Sequence, residues 1–347
     1  MTLVTSLYGN KYASLLMVFL ESLESTGNTS KIIVFWSDID KEIFNPIANH
    51  YSYVRFIEVK PQKTLDRSSN TAYLSSLKSG KMQYLNNIYE FLENDEDFVL
   101  IDCDTIINND LKSIYNNNFD VAYTPMDIPG YHYPVNIGIL CFRNNAKTKA
   151  LTQRMEEHVI HLSKNEDLHK LSVLKYGAAD QAAFCRIINY KSDDHIDNDM
   201  MLSNLKTLQL DASVYNNFNN QIDVDKVSVI HLKGSWQTLI FKGRAITSIE
   251  SKGLKALPVY KSFIGIFLKS YFKVFNDSNT KRLQNKLNVK IPFYLRKKED
   301  QITSHKTLLA IYNSIERLYR FAYNKNLKIV FKPMQLILFR DYRFWLK

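Results

Sequence analysis

The sequence predicts an α/β fold, in which a mixed, mainly parallel sheet is flanked by helices and followed by a basic, α-helical C-terminal region. Three observations carry this reading. The chain opens as strand, helix, strand with short turns, the start of a βαβ unit. An apolar run, Phe98-Val99-Leu100-Ile101, ends abruptly in Asp102-Cys103-Asp104. The charge divides near residue 245: residues 241–347 hold 23 Lys+Arg against 6 Asp+Glu, a net +17, while residues 1–240 hold 22 against 29, a net −7. At 347 residues the chain exceeds the usual size of one compact domain. It reads as residues 1–245 carrying the chemistry and residues 246–347 forming the basic, aromatic-rich extension.

The elements follow in order. Leu3–Leu7 is a first buried strand, and Gly9-Asn10 turns it into a helix over Tyr12–Leu23, where Leu15, Leu16, Phe19, Leu20 and Leu23 recur at helical spacing. Gly27-Asn28 ends that helix, and Lys31–Trp36 and Val54–Val59 are the next strands. Lys81–Leu92 is a helix that feeds the strand Phe98–Ile101. Val121–Tyr123 and Ile137–Phe142 are strands, Lys147–Leu162 and Asp180–Ile188 are helices, and Val227–His231 closes the sheet. Beyond residue 245, Tyr260–Phe275 suits an amphipathic helix, with Lys261, Lys269 and Lys273 opposite Phe263, Phe267 and Tyr271. A second helix is expected from about Ser304 to Tyr323.

Composition narrows the class. With 45% hydrophobic and 23% charged residues the chain is globular. Its three cysteines, Cys103, Cys141 and Cys185, are odd in number and lack Cys-x-x-Cys spacing, which fits reduced thiols. The N-terminus lacks the basic start and apolar core of a signal peptide. No apolar stretch approaches the ~20 residues of a membrane span. The expectation is a cytoplasmic protein, at most peripheral on the inner face of a membrane.

The chemistry centres on Asp102-Cys103-Asp104. In an extended segment residues i and i+2 point to one side, so the two acids can converge on one hard cation. Four further segments surround that pair in the chain. Leu7-Tyr8-Gly9 ends the first strand, where an aromatic ring can stack on a flat base while backbone groups read its edge; an ordinary strand-to-helix turn would look the same. Lys78 and Lys81 precede the acidic strand and can reach a phosphate or sugar hydroxyl, or remain solvated. Asn136-Ile137-Gly138 begins a buried strand, where glycine admits close approach and asparagine offers a donor and an acceptor. Asp180-Gln181 opens a helix, where the acid also suits a cap. His231-Leu232-Lys233-Gly234-Ser235-Trp236 follows the last strand; its imidazole can be a third metal ligand, and Lys233 and Gly234 can meet a diphosphate.

This ordered set resembles the GT-A glycosyltransferases of family eight, the group of glycogenin and the bacterial lipopolysaccharide galactosyl- and glucosyltransferases. The resemblance covers about residues 1–240. It implies a retaining transferase that uses Mn²⁺ (or Mg²⁺) and a nucleotide-activated hexose, most often UDP-linked. It also implies that Asp102, Asp104 and His231 hold the metal, that Lys81, Asn136 and Asp180-Gln181 bind the sugar, and that Lys233 and Gly234 form the diphosphate loop. The chain departs from the family in two places. The usual ending is His-x-x-Gly-x-x-Lys-Pro-Trp, whereas here the lysine precedes the glycine and Ser235-Trp236-Gln237 replaces the rest, the mark of a divergent subfamily. Where some relatives have an acid directly after Asp-Gln, this chain has Ala182, which excludes a covalent nucleophile there.

Front-face attack with retained configuration is therefore the expected route, and inversion with Asp180 as base is the alternative. A sugar-nucleotide pyrophosphorylase or a dinucleotide oxidoreductase would need a Gly-rich loop after the first strand, and Leu7–Lys11 has only Gly9. Basic and aromatic residues alternate through Tyr260–Lys273, Tyr294–Lys298, Tyr319–Lys325 and Phe339–Lys347. Such a pattern suits an anionic membrane surface and hence a glycan or lipid-linked acceptor, such as lipopolysaccharide core. The same pattern also suits a helical subdomain packed on the catalytic domain, or a non-catalytic basic membrane-binding protein on a GT-A scaffold. Nucleic acid is a poorer partner because residues 1–240 are acidic.

Overall fold

The computed structural model describes residues 1–28, 30–59, 81, 82, 84–126, 133–190, 202, 204–217, 226–232, 263, 265–267, 269–271, 273–275 and 287. The elements are β1 (Thr2–Tyr8), α1 (Asn10–Ser25), β2 (Lys31–Ser37), α2 (Lys41–His50), β3 (Val54–Glu58), β4 (Phe98–Ile101), β5 (Thr105–Ile107), β6 (Val121–Pro125), β7 (Val135–Phe142), α3 (Ala146–Lys164), α4 (Glu166–Tyr176), α5 (Ala179–Ile187), β8 (Thr207–Gln209), α6 (Ala212–Tyr215) and β9 (Val229–His231). Described positions within 81–87 and 263–275 are also helical. The helix expected near Ser304–Tyr323 lies outside the described residues, as do Lys78, Lys233 and Gly234.

Seven strands form one sheet in the order β3-β2-β1-β4-β7-β6-β8, and β5 pairs separately with β9. In the large sheet β7 alone runs against the others. The strands are nearly continuous apolar runs because both faces are covered. Alternation then sorts the side chains: Ile32, Val34 and Trp36 join the core on the α1 side, while Ile33 and Phe35 join the core under α3 and α5.

The chain steps from β1 to β2 to β3 in one direction, then returns to place β4 on the other side of β1. β1 and β4 pair only from Thr2/Phe98 to Val4/Leu100, whereas β1 pairs with β2 as far as Tyr8. A crevice therefore opens at the carboxyl ends of β1 and β4, the reversal point where open α/β sheets bind ligands. Because β7 is antiparallel, its first residues, Val135 to Gly138, lie at this same edge.

Some elements were not foreseen. α2 runs through Pro46, with Ile43, Phe44 and Ile47 buried against the core. The helix expected over Lys81–Leu92 tightens into a 3₁₀ turn at Ile88–Glu90. In the C-terminal region, Phe263, Phe267 and Tyr271 join the α1-side core as their spacing predicts. Two of the lysines opposite them, Lys269 and Lys273, are engaged by an acid. Lys269 and Lys273 lie 2.8 and 2.9 Å from Glu21 of α1, and Ser270 Oγ is 2.7 Å from the Tyr51 hydroxyl. All three cysteines are buried and free of disulfides. Among the described residues no helix is long and apolar enough to cross a membrane.

Candidate active site

β4 delivers Asp102 to the crevice, but the strand ends at Ile101. The two acids converge through a bend rather than by i, i+2 alternation along an extended strand. That bend is held by Thr105, whose Oγ1 donates to the Asp102 carbonyl at 2.9 Å, and by the Asp102 N–H, which donates to the Gly138 carbonyl at 2.9 Å. Cys103 turns inward; burial, then the charges of Asp104 and Asp102, push its thiol pKa well up, so it is an inert packing group.

β5 starts immediately after Asp104 and pairs antiparallel with β9, setting Thr105 opposite His231. The Leu232 N–H donates to the Asp104 carbonyl at 2.7 Å. This small ladder joins two segments far apart in sequence and puts His231 Nε2 3.2 Å from Asp104 Oδ1 and 3.8 Å from Asp102 Oδ2. One ligand atom from each of the three residues lies within 4.8 Å of the other two. Two carboxylates and one imidazole are a donor set that suits a divalent cation with open positions for water and phosphate oxygens.

Lys81 Nζ donates to Asp102 Oδ1 at 2.6 Å. Burial pulls the Lys81 pKa down, but the charges of Asp102, Asp180 and Asp104 and the Asp102 hydrogen bond outweigh it, so the net shift is upward. Lys81 is thus a fixed cation shared by the acids. Asp180 and Gln181 are buried in the first turn of α5. Asp180 is not the cap; it accepts from the Gln181 N–H at 3.1 Å, and Gln181 Nε2 donates to the Tyr176 carbonyl.

Gly138 and Asn136 have an inward task. A β-carbon on Gly138 would sit 2.4 Å from His231 Cε1 and 2.6 Å from its Nδ1. The close approach expected of a ligand is made by the imidazole ring, which occupies the space that any larger residue would fill. Asn136, expected at a sugar hydroxyl, is 1% exposed. Its Oδ1 accepts from the Gly138 N–H at 2.8 Å and lies 3.4 Å from Asn216 Nδ2. It braces the wall on which His231 rests.

At the other side of the crevice, Leu7 is buried in the core, so only its backbone is available to a ligand. The Tyr8 ring lies against Tyr84 with centroids 6.2 Å apart, and its hydroxyl is buried with its pKa raised, by burial first and then by Tyr84. Gly9, at φ 73° and ψ 158°, occupies backbone space essentially restricted to glycine, and its N–H donates to the Ser37 carbonyl at 3.1 Å. Two residues beside the cluster escaped the sequence reading, Asn216 and Thr124. Asn216 sits in Asn216-Asn217-Phe218-Asn219-Asn220, where the richness in asparagine hides it.

A family model described as nucleotide-diphospho-sugar transferase matches residues 40–237, more than half of the chain. The chain belongs to the nucleotide-diphospho-sugar transferase family. It is a glycosyltransferase, and its mainly parallel sheet with flanking helices is of the GT-A type. Solved structures similar to this transferase include the galactosyltransferase LgtC in complex with donor and acceptor sugar analogues, at 13% identity over 67% of this chain and 87% of that one, with a TM-score of 0.43. The glycosyltransferase GlyE of Streptococcus pneumoniae TIGR4 is similar at 15% identity over 78% and 63% of the two chains, with a TM-score of 0.47. The bifunctional glycosyltransferase WbbM is similar at 13% identity over 79% and 51%, with a TM-score of 0.47. No curated protein matches the sequence.

Proposed function

We propose that this transferase moves a hexose from a UDP-sugar to a glycan or glycolipid acceptor with retained anomeric configuration, using a divalent cation, Mn²⁺ (or Mg²⁺), at Asp102, Asp104 and His231. The observation that carries the reading is the convergence of those three side chains within 4.8 Å at the carboxyl edge of the sheet. A cation held there supplies Lewis-acid stabilisation of the departing diphosphate.

The chain's own residues do the rest. The backbone of Leu7-Tyr8-Gly9 holds the base, and Lys233 and Gly234 meet the diphosphate with charge and backbone N–H. Lys81 sits between Asp102 and Asp180 as a fixed counter-charge on the donor side. Asp180 and Gln181 orient the donor sugar from the first turn of α5. Ala182, directly after them, cannot form a glycosyl-enzyme bond, which favours same-face attack. The burial of Asp180 keeps inversion, with that carboxylate as base, as a second reading.

A panel of UDP- and GDP-sugars tests donor and metal together. The expected result is Mn²⁺-dependent hydrolysis of one UDP-hexose, lost in Asp102→Asn and Asp104→Asn. Proton NMR of the product separates the two stereochemical readings, since an inverted anomer would move the base role to Asp180. For the acceptor, a lipid-linked glycan fits the basic tail. Lys269 and Lys273 are engaged by Glu21, so membrane attachment would rest on basic residues outside that helix. Liposome co-sedimentation of the full chain against Arg296→Ser/Lys297→Ser/Lys298→Ser checks this; equal binding to anionic vesicles would sink the lipid part.

A further inference from the structure

Asn216 closes α6 and is 0% exposed. Its backbone is held in register with the end of β9: the Asn217 N–H donates to the Val229 carbonyl at 3.0 Å, and the His231 N–H donates to the Asn217 carbonyl at 2.9 Å. Asn217 thereby pairs in parallel with Ile230. This seam sets the Asn216 side chain beside the His231 ring, itself 2% exposed, with Asn216 Oδ1 2.9 Å from His231 Nδ1.

The orientation of the Asn216 amide follows from its other neighbours. Nδ2 lies 2.7 Å from Thr124 Oγ1 and 3.0 Å from the Asn136 carbonyl oxygen. The Thr124 hydroxyl donates to that same carbonyl at 2.9 Å, so toward Asn216 it can only accept. Two acceptors demand the NH₂ group, and Oδ1 is left facing the imidazole. An oxygen facing Nδ1 requires a proton on Nδ1. In the neutral ring the Nε2 lone pair then points at the two carboxylates. Thr124 and Asn136 oppose each other only because the β6–β7 register shifts between Tyr123 and Thr124, leaving Ile137, Gly138 and Ile139 without partners on β6.

We infer that Asn216 is the positioning residue that locks His231 in the Nδ1–H tautomer and presents Nε2 to the cation. The inference rests on the metal reading above. A hydrogen-bond acceptor behind a ligating histidine fixes tautomer and ring orientation, and its removal lowers metal affinity by about 10- to 100-fold.

The test begins with the metal-free parent protein. Long-range ¹H–¹⁵N correlation on ¹⁵N-histidine-labelled chain, at a pH where the His231 ring is neutral and with His231 assigned by its loss in His231→Gln, should show a protonated Nδ1 and an unprotonated Nε2. Asn216→Leu, close in volume but without the acceptor, should shift His231 toward the Nε2–H form. It should also weaken Mn²⁺ binding by calorimetry about 10- to 100-fold. Asn216→Asp retains the acceptor and should recover most of that loss. An Nε2–H tautomer in the parent overturns the inference without any variant having to fold. So does a folded Asn216→Leu that binds Mn²⁺ within a factor of about two of the parent, against the loss expected above. A parent that binds no Mn²⁺ overturns the metal reading and the metal half of this inference; a failure confined to Asn216→Leu overturns the inference alone.

Discussion

Two places in this molecule gather acid and lysine, and they are balanced differently. At Glu21, one fully buried carboxylate meets two lysines, Lys269 and Lys273, which reach it from the C-terminal helix and stay 50% and 38% exposed. At the crevice, three carboxylates, Asp102, Asp104 and Asp180, act on one lysine, Lys81. The first place matches two acids with two lysines, because Lys273 also reaches Glu24 at 3.2 Å, and it is a clasp. The second sets three acids and a neighbouring imidazole around a single lysine among the described residues. Crowded acids share a site stably when a further cation joins them or when one of them keeps its proton. Charge imbalance, more than burial, separates a site built for a ligand from one built for packing.

The sharpest way to break that contrast is Asp104→Asn. It should lower metal-dependent turnover on the order of 10³-fold while leaving the melting temperature unchanged or raised, since it relieves repulsion among the acids. A variant that melts early yet keeps turnover would make the crevice a structural cluster. Gly138→Ala comes next. Its methyl group would drive the His231 ring aside, so turnover should fall about 10²-fold, with a stability cost of about 1–3 kcal/mol. Calorimetric Mn²⁺ binding to this variant should weaken in parallel.

The clasp should behave in reverse. Lys269→Met/Lys273→Met leaves the Glu21 carboxylate buried without its cations and should destabilise by about 2–3 kcal/mol, below the full cost of a broken buried pair because both lysines are partly solvated. Its kcat should be unchanged. Glu21→Gln, which frees Lys269 to turn to water and leaves Lys273 with Glu24, should cost only about 1 kcal/mol by urea melting. Equal costs in the two variants would contradict the assignment of Glu21 as the buried partner.

One further effect lies outside both regions and serves as their control. His158 in α3 has its pKa lowered to about 4 by burial, then by the Arg186 and His161 charges, and Arg186 sits 2.9 Å from its Nε2. The fold therefore favours the neutral ring. This contribution is fully present above the ordinary histidine pKa of about 6.5 and is lost as pH falls toward about 4. The loss should be roughly 2 kcal/mol across that window. Melting curves of His158→Gln should be flatter there, and unchanged acid sensitivity would refute the assignment.

Much of the fold was legible because strand and helix periods are local properties of the chain. The apolar runs of β1, β2 and β4 and the stripe Phe263, Phe267, Tyr271 announced both their elements and their buried faces. α2 was not foreseen; the local penalty of its Pro46 is outweighed by long-range burial of Ile43 and Phe44. In the site, the acids and His231 were legible as residue types suited to a metal, and the structure brings them together. The task of Gly138 was not, since a glycine open to a ligand and one filled by a neighbouring ring are identical in sequence.

The sequence by itself determined the α/β layering, the acidic end of β4 and the basic character of the C-terminal region, because periodicity, composition and charge need no knowledge of distant neighbours. Only the tertiary structure decided that Glu21 receives Lys269 and Lys273, that His231 rests on Gly138, and that Asn216 faces its Nδ1. Those contacts depend on strand order, on the register shift in β6–β7 and on the pairing of β5 with β9. Register follows from how the whole sheet packs, so no local stretch of the chain contains it.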